Sequence, residues 1–152
     1  MLAEELAAQI HHNPDRWRPL VLTNGCFDLL HAGHVRYLTK ARTLGRSLVV
    51  GLNSDRSVQA LKGKQRPIVP QAERAEVLMG LKAVDGVVIF DELTADNLIT
   101  LLRPDIYVKG GDYTPDNLPE APTVKSIGGE IVLIPIEVRT STTKILQAIE
   151  SL

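Results

Sequence analysis

Two histidines, His31 and His34, stand three residues apart, just behind the run Thr23-Asn24-Gly25-Cys26-Phe27-Asp28. Side chains three apart share a face of a helix, so both imidazoles can donate hydrogen bonds to one set of phosphate oxygens. Gly25 lets the backbone approach a ligand closely, and Gly33, between the histidines, leaves room for a nucleotide. A helix that opens here also offers free N–H groups to an anion. The bland reading is that a histidine at a helix start is a cap or a surface residue. The other reading, half of a zinc site, needs ligands the chain does not readily offer. Cys26 is its single cysteine, and the remaining histidines, His11 and His12, lie near the N-terminus. No metal site built from protein side chains is expected.

Two further segments carry polar chemistry. Arg139-Thr140-Ser141-Thr142-Thr143-Lys144 opens with hydroxyls suited to capping a helix, and a capped helix start favours phosphate. Taken alone it is an ordinary capped C-terminal helix. Between residues 56 and 74, Arg56, Lys62, Lys64, Arg66 and Arg74 face a single acid, Glu73, on a chain whose formal net charge is -1. Such concentration attracts anions, and Gly63, Pro67 and Pro70 make the segment a loop. Taken alone, it is equally a solvated surface loop.

These segments need elements to position them. A short amphipathic helix is expected over residues 2–10, followed by a linker over 11–19 broken by Pro14 and Pro19. Strands are expected at 20–24, 47–52, 84–90, 106–108 and within 130–135. Helices are expected at 31–44, with Gly45 as the stop, and at 56–61, 71–82, 94–102 and 141–152. Residues 63–70 and 110–122 read as loops. Alternating strands and helices predict an α/β fold, Rossmann-like and doubly wound: a mostly parallel five-stranded sheet with helices on both faces. In such folds ligands sit beyond the carboxyl ends of the strands, where the unusual residues fall. The organisation expected is an N-terminal helix and linker over 1–19 and one domain over 20–152.

Composition narrows the class. The hydrophobic fraction of 44% and the charged fraction of 23% are globular. Near-neutral charge and 4% aromatic residues argue against a nucleic-acid partner. No apolar run approaches the ~20 residues that cross a bilayer, so no membrane partner is expected. The first residues do not read as a secretory signal, and one cysteine fits a reducing compartment. The cytoplasm is the expected location.

The string from strand through NGCFD to HAGH and helix resembles the His-x-Gly-His signature of the nucleotidyltransferase superfamily, which includes cytidylyltransferases and sugar-phosphate adenylyltransferases. The segment from Arg139 resembles that family's second signature, with a shorter spacer between Arg139 and Ser141. Further strings, TNGCFDLLHAGH (23–34), LNSD (52–55), LKGKQRP (61–67), VKGGDY (108–113) and STTKI (141–145), are similar to the heptose 1-phosphate adenylyltransferases of lipopolysaccharide precursor synthesis. In many organisms that activity is fused to a sugar kinase, and this chain would be a stand-alone form.

The resemblance implies transfer of AMP from ATP to a sugar 1-phosphate with release of pyrophosphate, and Mg²⁺ held mainly by the ATP phosphates. It implies catalytic roles for His31, His34, Lys64 and Thr142. Nucleotide contacts would come from Asn24, Gly25, Cys26, Phe27, Lys62, Gly110, Gly111, Asp112, Arg139, Ser141 and Thr143. Acceptor contacts would come from Asp28, Asn53, Arg66 and Arg74. Glycerol-phosphate cytidylyltransferases carry a second acid where this chain has Gly111, which tilts the base toward adenine. Glycerol 3-phosphate cytidylyltransferase, FMN adenylyltransferase and a non-catalytic nucleotide-binding regulatory domain are the rival readings. Relatives commonly pair, so a homodimer is an expected assembly.

Overall fold

The structure, a computed structural model, describes residues 1–111, 113–135 and 140–152. The expectations for Asp112 and Arg139 therefore lie outside the described residues. The elements run α1 (Ala3–His12), α2 (Pro14–Trp17), β1 (Leu20–Gly25), α3 (Ala32–Arg42), β2 (Ser47–Asn53), α4 (Asp55–Lys62), α5 (Gln71–Met79), β3 (Gly86–Phe90), α6 (Asp96–Leu102), β4 (Ile106–Gly110), α7 (Ala121–Ser126), β5 (Glu130–Ile134) and α8 (Thr142–Glu150).

The sheet is five-stranded in the order β3-β2-β1-β4-β5, and every pairing is parallel. The chain winds outward from β1 through β2 to β3, then crosses back to β4 and β5. The order therefore reverses between β1 and β4, and a doubly wound sheet opens its ligand crevice at that point. Alternation along each strand sorts the core into two layers. Leu20, Leu22, Val49 and Val88 face one layer with Leu6, Ile10, Trp17, Leu98, Ile99, Leu102 and Val124. Val21, Leu48, Val50, Leu52 and Val108 face the other with Leu38, Ala41 and Leu78. Helices thus cover both faces, as the alternating pattern predicts.

Two prolines account for the main differences from the expected elements, the others being shifts of up to three residues at element ends. The linker expected over 11–19 is mostly helical: α1 continues to His12, and Pro14 opens α2. The loop expected over 110–122 ends in α7, which carries Pro122 in its first turn. Proline breaks a helix interior, but in a first turn its missing N–H has no intrahelical partner to lose.

The N-terminal segment is part of the core. Trp17 is only 3% exposed and packs in the same layer as Leu6, Ile10 and Leu20. Arg18 fastens the segment to the connection between α6 and β4, donating to Asp105 Oδ2 at 2.9 Å and to the carbonyl of Arg103 at 2.8 Å. Trp17→Ala should accordingly destabilise the whole fold by about 3–5 kcal/mol, the range for deleting a large buried aromatic. Chemical denaturation checks this, and a loss below about 1 kcal/mol would show the segment to be peripheral.

Candidate active site

The strand ends at the switch point set the site. β1 closes on Asn24 and Gly25, and a Cβ on Gly25 would stand 3.0 Å from Cε2 of Phe27, so glycine leaves the space that this ring fills. The following turn passes through Phe27 at φ 46° and Leu29 at φ 29° and delivers His31 as the N-cap of α3.

The two histidines hold the backbone at the start of α3. The Gly33 amide donates to His31 Nδ1 at 3.0 Å, and the His31 amide donates to His34 Nδ1 at 3.2 Å. With Nδ1 accepting on each ring, a neutral imidazole carries its proton on Nε2. The rings lie 4.1 Å apart between centroids, and Phe27 packs 5.6 Å from His34. Burial, then the neighbouring His31, pulls the pKa of His34 down to about 4, and burial lowers that of His31. Both rings are thus neutral donors near neutral pH in the ligand-free protein.

Two cavities adjoin here. One of about 560 Å³ is lined by Asn24, Gly25, Cys26, Phe27, His31, His34, Lys62, Gly110, Gly111 and Ser141 among the expected residues. The other, about 580 Å³, shares Asn24 to Phe27, His34 and Lys62 with the first and adds Asp28, Asn53, Arg66, Thr142 and Thr143. The charge differs between them. The first is lined by Arg36, Lys40, Lys62 and Lys109 and, among the described residues, by no acid. The second sets Lys62, Arg66 and Lys109 beside Asp28 and Glu120.

Three expectations need correction or refinement. Arg74, expected to touch the acceptor, is 2% exposed and lines neither cavity. Its guanidinium donates to the carbonyls of Val69 (2.8 Å), Cys26 (2.6 Å) and Asn53 (2.9 Å) and to Asp55 Oδ1 (2.8 Å). It holds the ends of β1 and β2 together beneath the site. Asp28 borders the second cavity, but its carboxylate is occupied by the amides of Ile68 (2.8 Å) and Val69 (3.0 Å) and by Arg66 Nε (2.9 Å). Burial pushes this carboxyl upward, yet those amides and Arg66 outweigh it and hold it below its ordinary value. Asp28 thus ties down the basic loop. Lys64 is exposed and lines neither cavity.

Other expected residues fit their positions through local bonds. Ser141 caps α8, accepting from the Lys144 amide at 3.1 Å, and Thr142 Oγ1 donates to the Leu29 carbonyl at 3.1 Å. The start of α8 is thereby tied to the turn that carries the histidines. Buried Asn53 donates to Ser57 Oγ at 2.8 Å. Burial, opposed by nearby cations including Lys62, raises the Cys26 pKa and keeps it a thiol, in keeping with a small packing residue.

The sequence reading missed Arg36, Lys40, Lys109, Tyr113 and Glu120, all of which line a cavity. Arg36 and Lys40 were legible: with Gly33 and Tyr37 they follow the i, i+3, i+4, i+7 stripe of one helix face. Glu120 had no local signal, because a loop and a crossover bring it to the site.

Comparison with known proteins follows this geometry. A family model described as cytidylyltransferase-like matches residues 22–148. The Bifunctional protein HldE of Geotalea uraniireducens is 52% identical over 148 residues, which are 97% of this chain and 30% of that protein. That of Koribacter versatilis is 52% identical over 143 residues, 94% of this chain and 29% of that protein. The chain therefore spans about 30% of the length of the curated relatives it matches. Among solved structures, a lipopolysaccharide core biosynthesis protein from Thermoplasma volcanium has a TM-score of 0.63 at 29% identity, covering 79% of this chain and 97% of that one. A pantoate-beta-alanine ligase from Francisella tularensis has a TM-score of 0.60 at 12% identity, covering 98% of this chain and 75% of that one, a likeness of fold alone.

Two outcomes follow from the geometry. Arg74→Met removes the donor of four hydrogen bonds and should cost about 3–5 kcal/mol, read by denaturant unfolding; a neutral result would deny it the structural role. His34 binds its proton less readily in the fold than in the unfolded chain. Its contribution to stability is therefore complete above the ordinary value of 6.5 and is lost as pH falls through about 4. In His34→Asn, whose Oδ1 can still accept the His31 amide, the melting temperature should fall less than in the wild type across that window. Parallel curves would contradict the assignment.

Proposed function

The chain is a nucleotidyltransferase domain of the cytidylyltransferase-like family, and we propose that it transfers AMP from ATP to a sugar 1-phosphate, with heptose 1-phosphate as acceptor and pyrophosphate as leaving group. One observation carries the reading: two neutral imidazole donors open onto a cavity lined by four basic residues and, among the described residues, no acid. A triphosphate suits such a cavity. The second cavity mixes both charge signs, which suits an acceptor bearing a phosphate and several hydroxyls.

The reaction needs little covalent help. An acceptor phosphate oxygen attacks the α-phosphorus in line, and pyrophosphate departs. That nucleophile is already ionised, so catalysis is positioning and charge stabilisation. His31 and His34 donate to the triphosphate, with His34 nearest the developing charge. Lys62 and Ser141 to Thr143 hold the β- and γ-phosphates. Lys64 joins them only if residues 63–65 move, because Asp28 anchors the loop from Arg66 onward.

A Mg²⁺ ion would arrive on the ATP phosphates, whose oxygens would be its main ligands; among the described residues no cluster of three or more metal-ligating side chains occurs. Bound there, the ion would neutralise charge on the triphosphate. Adenine is favoured by Gly110 and Gly111, which line the first cavity. Gly111 takes a φ of 84°, where a side chain is strained. The relatives named HldE and the lipopolysaccharide core biosynthesis protein support a role in lipopolysaccharide precursor synthesis. Among the described residues no helix is long and apolar enough to cross a membrane, and cytoplasmic action as a homodimer is part of the same proposal.

The test is pyrophosphate release with ATP and with CTP across a panel of sugar 1-phosphates, glycerol 3-phosphate and FMN. ATP with a heptose 1-phosphate should give the highest kcat/KM. Equal or faster turnover with CTP would hand the site to a cytidylyltransferase, and nucleotide binding without pyrophosphate release would mark a regulatory domain.

A further inference from the structure

Lys62 and Lys109 are the basic residues that line both cavities. They differ in setting. Lys62 is exposed at the end of α4, whereas Lys109 is half-buried near the end of β4, at the switch point. An ammonium has three donors. Among the described residues, that of Lys109 makes one long hydrogen bond, to the Asn24 carbonyl at 3.4 Å, and lies 5.6 Å from the centre of the Tyr113 ring. Burial pushes its pKa below the ordinary lysine value, and Glu120 opposes that shift. A partly desolvated cation with so few protein contacts is unfavourable unless an anion completes its surroundings. Its position on the shared wall of the two cavities brings an anion in either one within its neighbourhood.

We propose that Lys109 is a catalytic residue whose ammonium bridges the acceptor phosphate and the α-phosphate of the nucleotide as the two are joined. The inference rests on the nucleotidyl-transfer reading. Two phosphates repel as they approach, and a cation between them offsets that repulsion where water is excluded. The new bond runs from the acceptor oxygen to the α-phosphorus. The bond from the α-phosphorus to the bridging oxygen breaks, and its electron pair leaves on pyrophosphate. Lys109 gives up no proton in this step and remains a cation throughout. It is strongest where both phosphates and the growing charge meet, so its effect falls on kcat more than on the binding of either substrate.

The experiment compares wild type, Lys109→Met and Lys109→Arg. Steady-state formation of nucleotide sugar is read together with the Kd of the sugar phosphate, measured with and without a non-hydrolysable ATP analogue. Lys109→Met should lower kcat on the order of a hundredfold or more, with ATP affinity changed by less than about threefold. It should also weaken sugar-phosphate binding selectively when the ATP analogue is present, an effect that simple loss of packing would not produce. Lys109→Arg keeps the charge and should recover part of kcat. Melting temperatures serve as the folding control, with Lys109→Gln as a second neutral variant.

Wild-type kcat in the folded neutral variants, or a loss confined to the affinity of one substrate alone, would overturn the role of Lys109 and leave the transferase reading intact. A wild-type protein that forms no nucleotide sugar with any acceptor would overturn that reading and this inference with it.

Discussion

The Arg74 guanidinium donates to the carbonyls of Cys26, Asn53 and Val69 and to the carboxylate of Asp55. Those partners lie past the end of β1, at the end of β2, in the loop before α5 and at the start of α4. Carbonyls at strand ends have no further ladder to join, and buried without donors they would be strongly unfavourable. One planar group with its donors fixed in a fork satisfies several of them together. It also fixes the spacing between the neighbouring strand tips from which both cavities are built. Asp28 extends the same clasp upward by gathering Arg66, Ile68 and Val69. The basic loop is therefore rooted at its C-terminal side, and its exposed residues 63–65 project from a fixed base.

Above this base the electrostatics divide cleanly. The imidazoles are stripped of charge by burial, while the lysines and arginines around them supply the positive potential. Neutral donors give direction and fixed geometry, and flexible cations give long-range attraction. The backbone amides of His31 and Gly33 are turned inward to the ring nitrogens. Part of the usual anion-binding capacity of a helix start is thus used to orient two side chains, to which the proposed function gives the binding.

Much of this was legible. Strand and helix alternation led to the doubly wound sheet, and most of the described residues expected at the site, Asn24 to Phe27, His31, His34, Lys62 and Ser141 among them, line the cavities at its carboxyl edge. The misreadings share physical causes. Pro14 was read as a breaker and Pro122 as the end of a loop, although each stands in the first turn of a helix. Arg74 was read by its charge and by its match to an acceptor-binding position of the family that the sequence resembles. Only the tertiary structure shows that its neighbours are strand-end carbonyls, and a sequence does not display which backbone groups are left over. Asp28 was read as facing a ligand because its loop partners lie about forty residues away. Lys109 was passed over inside a motif noticed for its glycines, although its place at a strand end beside the reversal of strand order was available from the topology.

The shared wall between the cavities has a consequence for how such a domain can diversify. Asn24 to Phe27, His34, Lys62 and Lys109 serve both chambers, whereas Asn53, Leu93, Thr94, Pro119 and Glu120 border only the second. The latter come from the end of β2, the connection after β3 and the segment before α7. Substitutions there can reshape one chamber while the seven-residue wall and the histidine turn stay untouched. The architecture is modular in that sense: under the proposed function, the half that would take the nucleotide can be inherited unchanged while the opposite half is retuned to a new phosphorylated partner.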